Sequence, residues 1–196
     1  MAEEKGTPPT SIINLSRASV LLVDDSPFGL RLLEQMMKGF GVRACYNCGS
    51  SLYAQDVIRR ETVDLIVIDC DMPELDGYDL IRWMRNSGLE NAYTPVIMVA
   101  GHTKASKVKK ARDCGANFIV ARPFSPAVLL DRIVWIARDP RPFLEAADYA
   151  GPDRRFRDEG PPRGVGERRA DRIREAAAKA SAAEDAAANE AKGDPR

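Results

Sequence analysis

The stretch V-D-L-I-V-I-D-C-D-M-P-E-L-D-G, residues 63–77, decides the fold that we predict for this chain. Its first part is mostly apolar, and the run ends abruptly at Asp69 and then at the Met72-Pro73 turn. A short apolar run closed by turn residues is typical of a strand buried on both faces of a parallel sheet. The loops beyond the carboxyl ends of such strands form the ligand crevice. We therefore expect Asp69 at that rim, facing solvent, as the first candidate for chemistry.

The flanking segments alternate between strand and helix patterns. Strands are predicted at 20–23, 42–46, 63–68, 96–100 and 117–120, and helices at 26–39, 50–60, 78–86, 104–114 and 125–137. Right-handed crossovers between parallel strands place helices on both faces of the sheet. The predicted fold class is therefore α/β, a doubly wound five-stranded parallel sheet in the order 2-1-3-4-5.

The apolar residues of this 196-residue chain are concentrated between positions 19 and 137, which predicts one packed domain. Residues 1–18 are expected to be a flexible N-terminal arm, and 138–174 an arginine-rich extension. Residues 175–196 are rich in Ala, Glu and Lys and have almost no apolar face, so we expect them to be disordered or partly helical. The C-terminal tail as a whole is predicted to be polar and largely disordered.

Charge and cysteine content indicate the compartment. Lys+Arg and Asp+Glu both number 29, so the net charge does not point to nucleic acid. No apolar run approaches 18 residues and no signal peptide is recognisable, which predicts a cytoplasmic protein without membrane insertion. Cys45 and Cys48 form a C-x-x-C that could be a redox pair or half a zinc site. No second cluster accompanies them and the sole histidine is His102, so we interpret the cysteines as reduced structural thiols.

Acidic residues end the first and third predicted strands. Asp24 and Asp25 follow the first strand, and Asp69 ends the third, its neighbour at the switch point of the sheet. Carboxylates so close together repel unless a cation lies among them, and oxygen ligands without His or Cys suit Mg²⁺. A carboxylate beside Mg²⁺ can attack a phosphoryl group and form an acyl phosphate. The alternative is that these acids are solvated loop residues.

Residues 19–137 resemble the receiver domains of two-component response regulators, which have a CheY-like fold. The resemblance depends on V-L-L-V-D-D-S at 20–26, on D-L-I-V-I-D-C-D-M-P-E-L-D-G at 64–77, on Thr94-Pro95 and on Ala121-Arg122-Pro123-Phe124. It implies that Asp69 is the phosphoacceptor. It also implies that the Mg²⁺ ligands are Asp24, Asp25, Asp69 and the backbone carbonyl of Asp71.

Three positions depart from the receiver pattern. Ala100 stands where the family has a Thr or Ser hydroxyl, Arg122 replaces its lysine, and Ile119 occupies the position of its switch aromatic. Arg keeps the charge but not the compact ammonium geometry. Neither Thr103 nor Ser106 lies at the right offset to replace the hydroxyl. We therefore expect an intact acid pocket in which phosphorylation alone does not drive the output.

The segment 148–174 contains eight arginines and no lysine. Exclusive use of Arg favours planar, bidentate and stacking recognition, and Tyr149 and Phe156 add stacking surfaces. A guanine base matches this set, because its O6/N7 edge accepts an Arg fork and its N1/N2 edge donates to carboxylate. The acids interleaved from 151 to 174 leave a net charge of only +3 there, which disfavours DNA. A solvated charged linker is the alternative.

A receiver followed by an arginine-rich extension resembles the CheY-like Cle proteins. The resemblance implies binding of cyclic di-GMP by the extension, followed by engagement of the flagellar motor switch. The R-x-x-D spacing occurs at 155–158 and at 168–171. The candidate ligand-binding residues are Tyr149, Asp153, Arg154, Arg155, Arg157, Asp158, Arg163, Arg168, Arg169, Asp171 and Arg172.

The preferred interpretation is a non-enzymatic signalling adaptor in motility or chemotaxis, whose only chemistry is Mg²⁺-dependent self-phosphorylation and dephosphorylation at Asp69. Its expected partners are cyclic di-GMP, a histidine kinase or phosphotransfer protein, and the motor switch, with recruitment to the flagellated pole. The alternative is a phosphorelay receiver phosphorylated on Asp69 by a histidine kinase, with an incidental tail. A DNA-binding regulator is less well supported because no helix-turn-helix pattern occurs, and a hydrolase or transferase has little support.

Overall fold

The computed structural model describes residues 13–101, 104–138, 141–146 and 149–153. Five parallel strands form one sheet in the order β2-β1-β3-β4-β5. They are β1 (Ser19–Val23), β2 (Ala44–Cys48), β3 (Leu65–Asp69), β4 (Val96–Ala100) and β5 (Phe118–Ala121). The predicted doubly wound α/β fold is confirmed. Of the tail from 138 onward, predicted to be largely disordered, residues 138, 141–146 and 149–153 are described and include two strands, and the part beyond position 153 lies outside the described residues.

Five helices connect the strands. They are α1 (Pro27–Gly39), α2 (Ser51–Arg60), α3 (Gly77–Arg85), α4 (Ala105–Asp113) and α5 (Pro126–Ala137), with a 3-10 helix at Glu90–Tyr93 before β4. Most begin as predicted because a side chain accepts a hydrogen bond from the first turn. Ser26 accepts from the Gly29 amide, Ser50 from Tyr53 and Asp76 from Asp79.

Alternation along the strands divides the core into two layers. Leu21, Ile66 and Met98 face one side of the sheet, where α2, α3 and α4 pack. Val67 and Val99 face the other side, beneath α1 and α5. Because every central strand is covered on both faces, β3 and β4 are buried along their whole length. The loops at the carboxyl ends are therefore left as the exposed functional edge.

Strand β2 begins two residues later than the sequence suggested. The predicted start, Val42, is buried but lies in the turn after α1, where its amide donates to the Met37 carbonyl at 3.0 Å. Gly41 has a φ of 91°, in the left-handed region that glycine adopts without strain. Val42 is therefore as buried as a strand residue, although it belongs to the turn that ends α1.

An antiparallel pair of strands follows α5 and was not predicted. Strand β6 (Phe143–Ala146) pairs with β7 (Tyr149–Pro152). The Phe143 ring packs at 4.8 Å from Tyr93, and the Arg85 guanidinium lies 5.3 Å above it. Each strand of this hairpin has only four residues, too few to be distinguished by pattern from the polar extension that the sequence predicts there. It is held by contacts with the domain that precedes it.

The C-x-x-C cysteines do not form a joint site. Cys45 packs toward α1 and α5, while Cys48 is buried on the opposite face. Residues three apart on a strand point to opposite faces, so the two thiols cannot share a disulfide or a metal ion. Burial raises the pKa of Cys48 and Cys114 to about 11 and that of Cys70 to about 12.

Slow alkylation of the buried thiols should follow. Because the thiolate is the nucleophile, Cys48, Cys70 and Cys114 should react with iodoacetamide at pH 8 about a hundredfold more slowly than in the denatured chain. The partly exposed Cys45 is the internal control and should react first. Time-resolved mass spectrometry of the labelled peptides measures the four rates. Equal native rates for Cys45 and Cys48 would contradict the burial of Cys48.

Candidate functional site

Three carboxylates meet at the carboxyl edge of the sheet. Val23 and Ile68 are register partners on the adjacent strands β1 and β3, so the residues that follow them emerge side by side. A carboxylate oxygen from each of Asp24, Asp25 and Asp69 lies within 4.8 Å of the others. The convergence expected from strand order is therefore present.

The carboxylates are more enclosed than the sequence suggested. Asp69 is only 6% exposed and Asp24 is completely buried, whereas Asp25 is exposed. The expectation that Asp69 faces solvent was wrong, because the starts of α1 and α3 close over the strand ends. The amide of Cys70 donates to Asp69 Oδ1 at 2.9 Å, and the amide of Ser26 donates to Asp24 Oδ1 at the same distance.

Two glycines that the sequence analysis did not assign to the site permit this enclosure. A Cβ at Gly29 would lie 2.3 Å from Asp24 Oδ2, and one at Gly77 would lie 2.2 Å from the carbonyl oxygen of Asp69. Any larger residue would force α1 or α3 away from the pocket. The signal was available: each glycine stands in the first turn of a helix that follows an acidic strand end, where Gly has no propensity advantage.

Arg122 supplies the cation among the acids. Its guanidinium pairs with Asp24 Oδ2, and its Nη1 lies 3.5 Å from Asp69 Oδ2. Burial nevertheless raises the pKa of Asp69. The Arg122 charge opposes this rise, the neighbouring Asp24 charge adds to it, and the Cys70 amide opposes it. An Asp69 carboxylate in this setting is poorly solvated, which favours nucleophilic attack when a cation is at hand.

The donor set fits a hard divalent cation. Carboxylate oxygens in a partly enclosed pocket, without His or Cys, are the ligands that Mg²⁺ prefers. The side chain of Asp71 is occupied elsewhere, since it pairs with Lys107 of α4. Only its backbone carbonyl is thus left for the metal role that the receiver resemblance implies.

A second ion pair joins α4 to the same loop. Lys110 Nζ lies 2.7 Å from Oδ2 of Asp76, the N-cap of α3, and 4.3 Å from the centre of the Tyr78 ring. We call the Lys107–Asp71 and Lys110–Asp76 pairs the α4 tethers.

The positions that usually transmit phosphorylation are altered as the sequence indicated. Ala100, at the end of β4, is completely buried and carries no hydroxyl. Ile119 is partly buried against the α2–α3–α4 layer of the core. Ser106 is exposed on α4, and Thr103 lies outside the described residues. The site therefore holds the acids and the cation, but β4 offers no hydroxyl to a phosphoryl group.

The profile of the response regulator receiver domain matches residues 20–134, more than half of the chain. The chain belongs to the response regulator receiver family. It is accordingly a receiver domain of two-component signalling, a family whose members bind Mg²⁺ at an acidic pocket such as this one and exchange phosphoryl groups with histidine kinases or phosphotransfer proteins.

Relatives of this receiver include chemotaxis proteins. It is 25% identical over 114 residues to chemotaxis protein CheY-3 of Vibrio cholerae, covering 58% of the chain and 87% of that protein. It is 27% identical over 114 residues to chemotaxis protein CheY of Pseudomonas aeruginosa, covering 58% of the chain and 91% of that protein. It is also 28% identical to the sensor histidine kinase RcsC of Escherichia coli, but over only 11% of that kinase.

Solved structures agree on the fold. CheY4 of Vibrio cholerae matches with a TM-score of 0.57 at 24% identity, covering 61% of the receiver chain and 98% of CheY4. The receiver domain of a Pseudomonas aeruginosa sensor histidine kinase matches with a TM-score of 0.55 at 28% identity, covering 61% and 95%. That structure holds a magnesium ion coordinated in its active-site cleft.

The predicted ligand-binding residues of the extension fall mostly outside the described residues. Two are described. Tyr149 lies on β7, with its hydroxyl donating to the Pro152 carbonyl at 2.6 Å, and the amide of Asp153 donates to the Pro142 carbonyl at 2.9 Å. The others lie beyond position 153 and stay predictions: Arg154, Arg155, Arg157, Asp158, Arg163, Arg168, Arg169, Asp171 and Arg172.

Among the helices that the structure describes, none combines the length and the apolar character needed to cross a bilayer.

Replacing Arg122 should strengthen Mg²⁺ binding. The guanidinium already pairs with Asp24 and Asp69, so it competes with the ion for the same oxygens. Because the Arg122 side chain is 35% exposed, solvent screens part of this competition. We expect Arg122→Gln to lower the dissociation constant for Mg²⁺ about tenfold, equivalent to roughly 1.4 kcal/mol.

Calorimetric titration with magnesium chloride measures the change. Arg122→Lys keeps the charge and should change the affinity less. Arg31→Gln, on the exposed surface of α1, is the control for loss of a positive charge elsewhere. An unchanged or weaker affinity in Arg122→Gln would show that the guanidinium does not compete with the metal.

Proposed function

We propose that this receiver is a signalling adaptor phosphorylated on Asp69 whose output is controlled by cyclic di-GMP bound to its arginine-rich extension. One observation supports the proposal above the others. The three carboxylates converge beside the guanidinium of Arg122. The end of β4, however, presents Ala100 in place of a hydroxyl donor. An acyl phosphate on Asp69 is chemically reasonable here. The hydroxyl contact that usually couples it to a conformational change is missing at Ala100.

The chemistry proposed for Asp69 is phosphoryl transfer. A carboxylate oxygen of Asp69 attacks the phosphorus of a phosphohistidine, the donor P–N bond breaks, and the leaving imidazole takes up a proton from solvent. Mg²⁺, held by Asp24, Asp25, Asp69 and the carbonyl of Asp71, would supply charge neutralisation for the phosphoryl oxygens. Arg122 then exchanges its carboxylate partner for a phosphoryl oxygen, a charge-assisted contact that guanidinium makes well.

Control by cyclic di-GMP rests on the composition of the extension. Eight arginines with interleaved acids match the acceptor and donor edges of guanine. Folding of such a segment on its ligand costs several kcal/mol of ordering, which makes the response switch-like. The hairpin β6–β7 is ordered and ends at Pro152, one residue before Asp153. The hairpin is thus the first part of the extension, and the arginines from Arg154 onward follow a structured element.

The proposed output partner is a flagellar motor switch component. The relatives from Vibrio cholerae and Pseudomonas aeruginosa are chemotaxis proteins. The helix α4 and its N-cap residue present an exposed basic surface to a partner, formed by Lys104, Lys109 and Arg112. Action at the motor implies a cytoplasmic protein that is recruited to the flagellated pole.

The second candidate function is a phosphorelay receiver in which the extension plays no part. The convergence of Asp24, Asp25 and Asp69 favours it, since that pocket suffices to accept a phosphoryl group. In that case cyclic di-GMP should not bind, and phosphorylation alone should change partner affinity.

A charge-matched replacement tests the proposed control. The full chain is titrated calorimetrically with cyclic di-GMP, beside a variant in which Arg154, Arg155, Arg157, Arg168 and Arg169 are all changed to Lys. The charge is unchanged, but the bidentate fork is lost. We expect at least a tenfold loss of affinity, since each fork contributes roughly 1–3 kcal/mol of discrimination. Equal affinity of the two proteins would show that the arginines attract cyclic di-GMP by charge alone. If the natural chain does not bind cyclic di-GMP, the phosphorelay function remains.

A further inference from the structure

A polar cleft lies between the hairpin β6–β7 and the receiver helices, away from the acid pocket. It has a volume of about 240 Å³. Its walls come from the end of α3, the end of α4 and strand β7. The lining residues are Arg82, Arg85, Asn86, Asp113, Cys114, Tyr149 and Ala150.

The hairpin wall of this cleft is held in a fixed position. A Cβ at Gly115 would lie 2.4 Å from the Ala150 carbonyl oxygen, and one at Gly151 would lie 2.7 Å from the Gly115 Cα. Both glycines have φ values that other residues rarely adopt, 92° and 157°. The Tyr149 hydroxyl donates to the Pro152 carbonyl, which fixes the ring. Two backbones that touch without side chains between them form a rigid cleft.

A buried positive charge lies at the floor of the cleft. Arg85 is 5% exposed, and its hydrogen bonds go to neutral carbonyl oxygens. Its Nη1 donates to Ala92 and Thr94 at 2.6 and 2.7 Å, and its Nε and Nη2 donate to Gly115 at 3.1 and 2.9 Å. Burial lowers the pKa of Arg85 to about 10, so the group remains charged at neutral pH. The floor therefore attracts acceptor atoms and an electron-rich ring.

The chemistry of the lining discriminates among ligand classes. A free phosphate would be repelled by the Asp113 carboxylate. An apolar ligand would remove the polar groups of Arg82 and Asn86 from water without offering them hydrogen bonds. A guanine base satisfies both kinds of group. Its O6 and N7 accept from an arginine fork, its N1 and N2 donate to a carboxylate, and its face stacks on a tyrosine or guanidinium plane.

We propose that this cleft binds one guanine base of a guanine nucleotide, with Arg82 as donor to the O6/N7 edge, Asp113 as acceptor from the N1/N2 edge and Tyr149 as stacking surface. The proposal rests on the proposed function for the choice of cyclic di-GMP as the nucleotide. The cleft is smaller than the 300–1,000 Å³ typical of drug-sized ligands. It therefore takes a single base rather than a whole dinucleotide.

Titration of the full chain with GMP, AMP and cyclic di-GMP tests the proposal, beside the variants Arg82→Ala and Asp113→Asn. Two matched controls are available. Arg59→Ala breaks an exposed i,i+3 pair with Asp56, as Arg82→Ala breaks the one with Asp79. Asp131→Asn removes an exposed carboxylate from α5. We expect each cleft variant to weaken GMP and cyclic di-GMP binding by about tenfold or more, with the controls unchanged and AMP binding weak throughout.

Amide chemical shifts of Gly115 and Ala150 provide a readout independent of affinity, and both should move when GMP is added. Unchanged affinities in Arg82→Ala and Asp113→Asn would overturn the cleft while leaving cyclic di-GMP control by the extension intact. If the natural chain binds GMP at the cleft but the arginine-to-lysine extension variant binds cyclic di-GMP normally, the role of the extension fails and the cleft stands. No shift at Gly115 or Ala150 with any guanine nucleotide would overturn the cleft directly.

Discussion

Asp69→Asn should abolish Mg²⁺-dependent phosphorylation of the receiver. An amide at this position has no nucleophilic oxygen with which to form an acyl phosphate. The substitution is close to isosteric, so the amide can still contact the Cys70 N–H through its oxygen, and the fold should remain. We expect the signal from phosphorylated protein, labelled with radioactive acetyl phosphate in the presence of Mg²⁺, to fall to background.

Asp71→Asn is the matched control, with the same chemical change two residues away. Its side chain pairs with Lys107 of α4, and only its backbone carbonyl is assigned to the metal, so labelling should persist. Chelation of Mg²⁺ should remove labelling from the natural chain and from the control alike. Persistent labelling of Asp69→Asn would show that another carboxylate is the phosphoacceptor. Loss of labelling in both Asp69→Asn and Asp71→Asn would indicate that the substitutions disturb the pocket.

Arg85→Met should destabilise the domain by about 3 kcal/mol, a large part of the 5–15 kcal/mol typical of a domain. The substitution leaves the carbonyl oxygens of Ala92, Thr94 and Gly115 without their donors. Each buried acceptor without a partner costs about 1–3 kcal/mol. Burial lowers the pKa of Arg85, so the charged guanidinium is costly to bury. Replacing it with Met removes that cost, which offsets part of the destabilisation.

Urea unfolding followed by tryptophan fluorescence measures the loss in free energy of unfolding. Arg82→Met lies one turn earlier on α3, is half exposed, and should change stability by no more than about 0.5 kcal/mol. Arg85→Lys keeps the charge but fewer of the hydrogen bonds, so it should fall between the two. Equal stability of the Arg85→Met and Arg82→Met variants would mean that water replaces the donors.

The sheet could be predicted because its signal is local. Runs such as 96–100 are continuously apolar, and serine or aspartate caps with Pro or Gly mark most helix boundaries. Strand order then brought Asp24, Asp25 and Asp69 together without further information. Local pattern and chain connectivity were sufficient for the fold and for the position of the acids.

The enclosure of the acids could not be predicted in the same way. Burial of Asp69 depends on how closely α3 approaches the end of β3, which Gly77 permits. The pairing of Arg122 with Asp24 joins residues 98 positions apart. Sequence pattern reports which side chains alternate or repeat, but it contains no distance between two helix starts.

The hairpin β6–β7 was missed for a related reason. Its four-residue strands are too short for a clear period-2 pattern, and an isolated two-stranded hairpin is marginal in water. Contacts with the preceding domain stabilise it, above all the Phe143 contacts with Tyr93 and Arg85 and the approach of Gly151 to Gly115. Those contacts belong to the tertiary structure and have no signature within residues 143–152.

The α4 tethers give this helix an unusual dependence on ionic strength. Within α4 the fully buried residue is Ala111, and two ion pairs, to Asp71 and Asp76, join the helix to the segment between β3 and α3. Exposed pairs of this kind weaken as the Debye length shortens, from about 10 Å at 0.1 M salt to about 3 Å at 1 M. The attachment of α4, which carries the proposed partner-binding surface, should therefore weaken at high salt. The apolar core of the sheet should be unaffected.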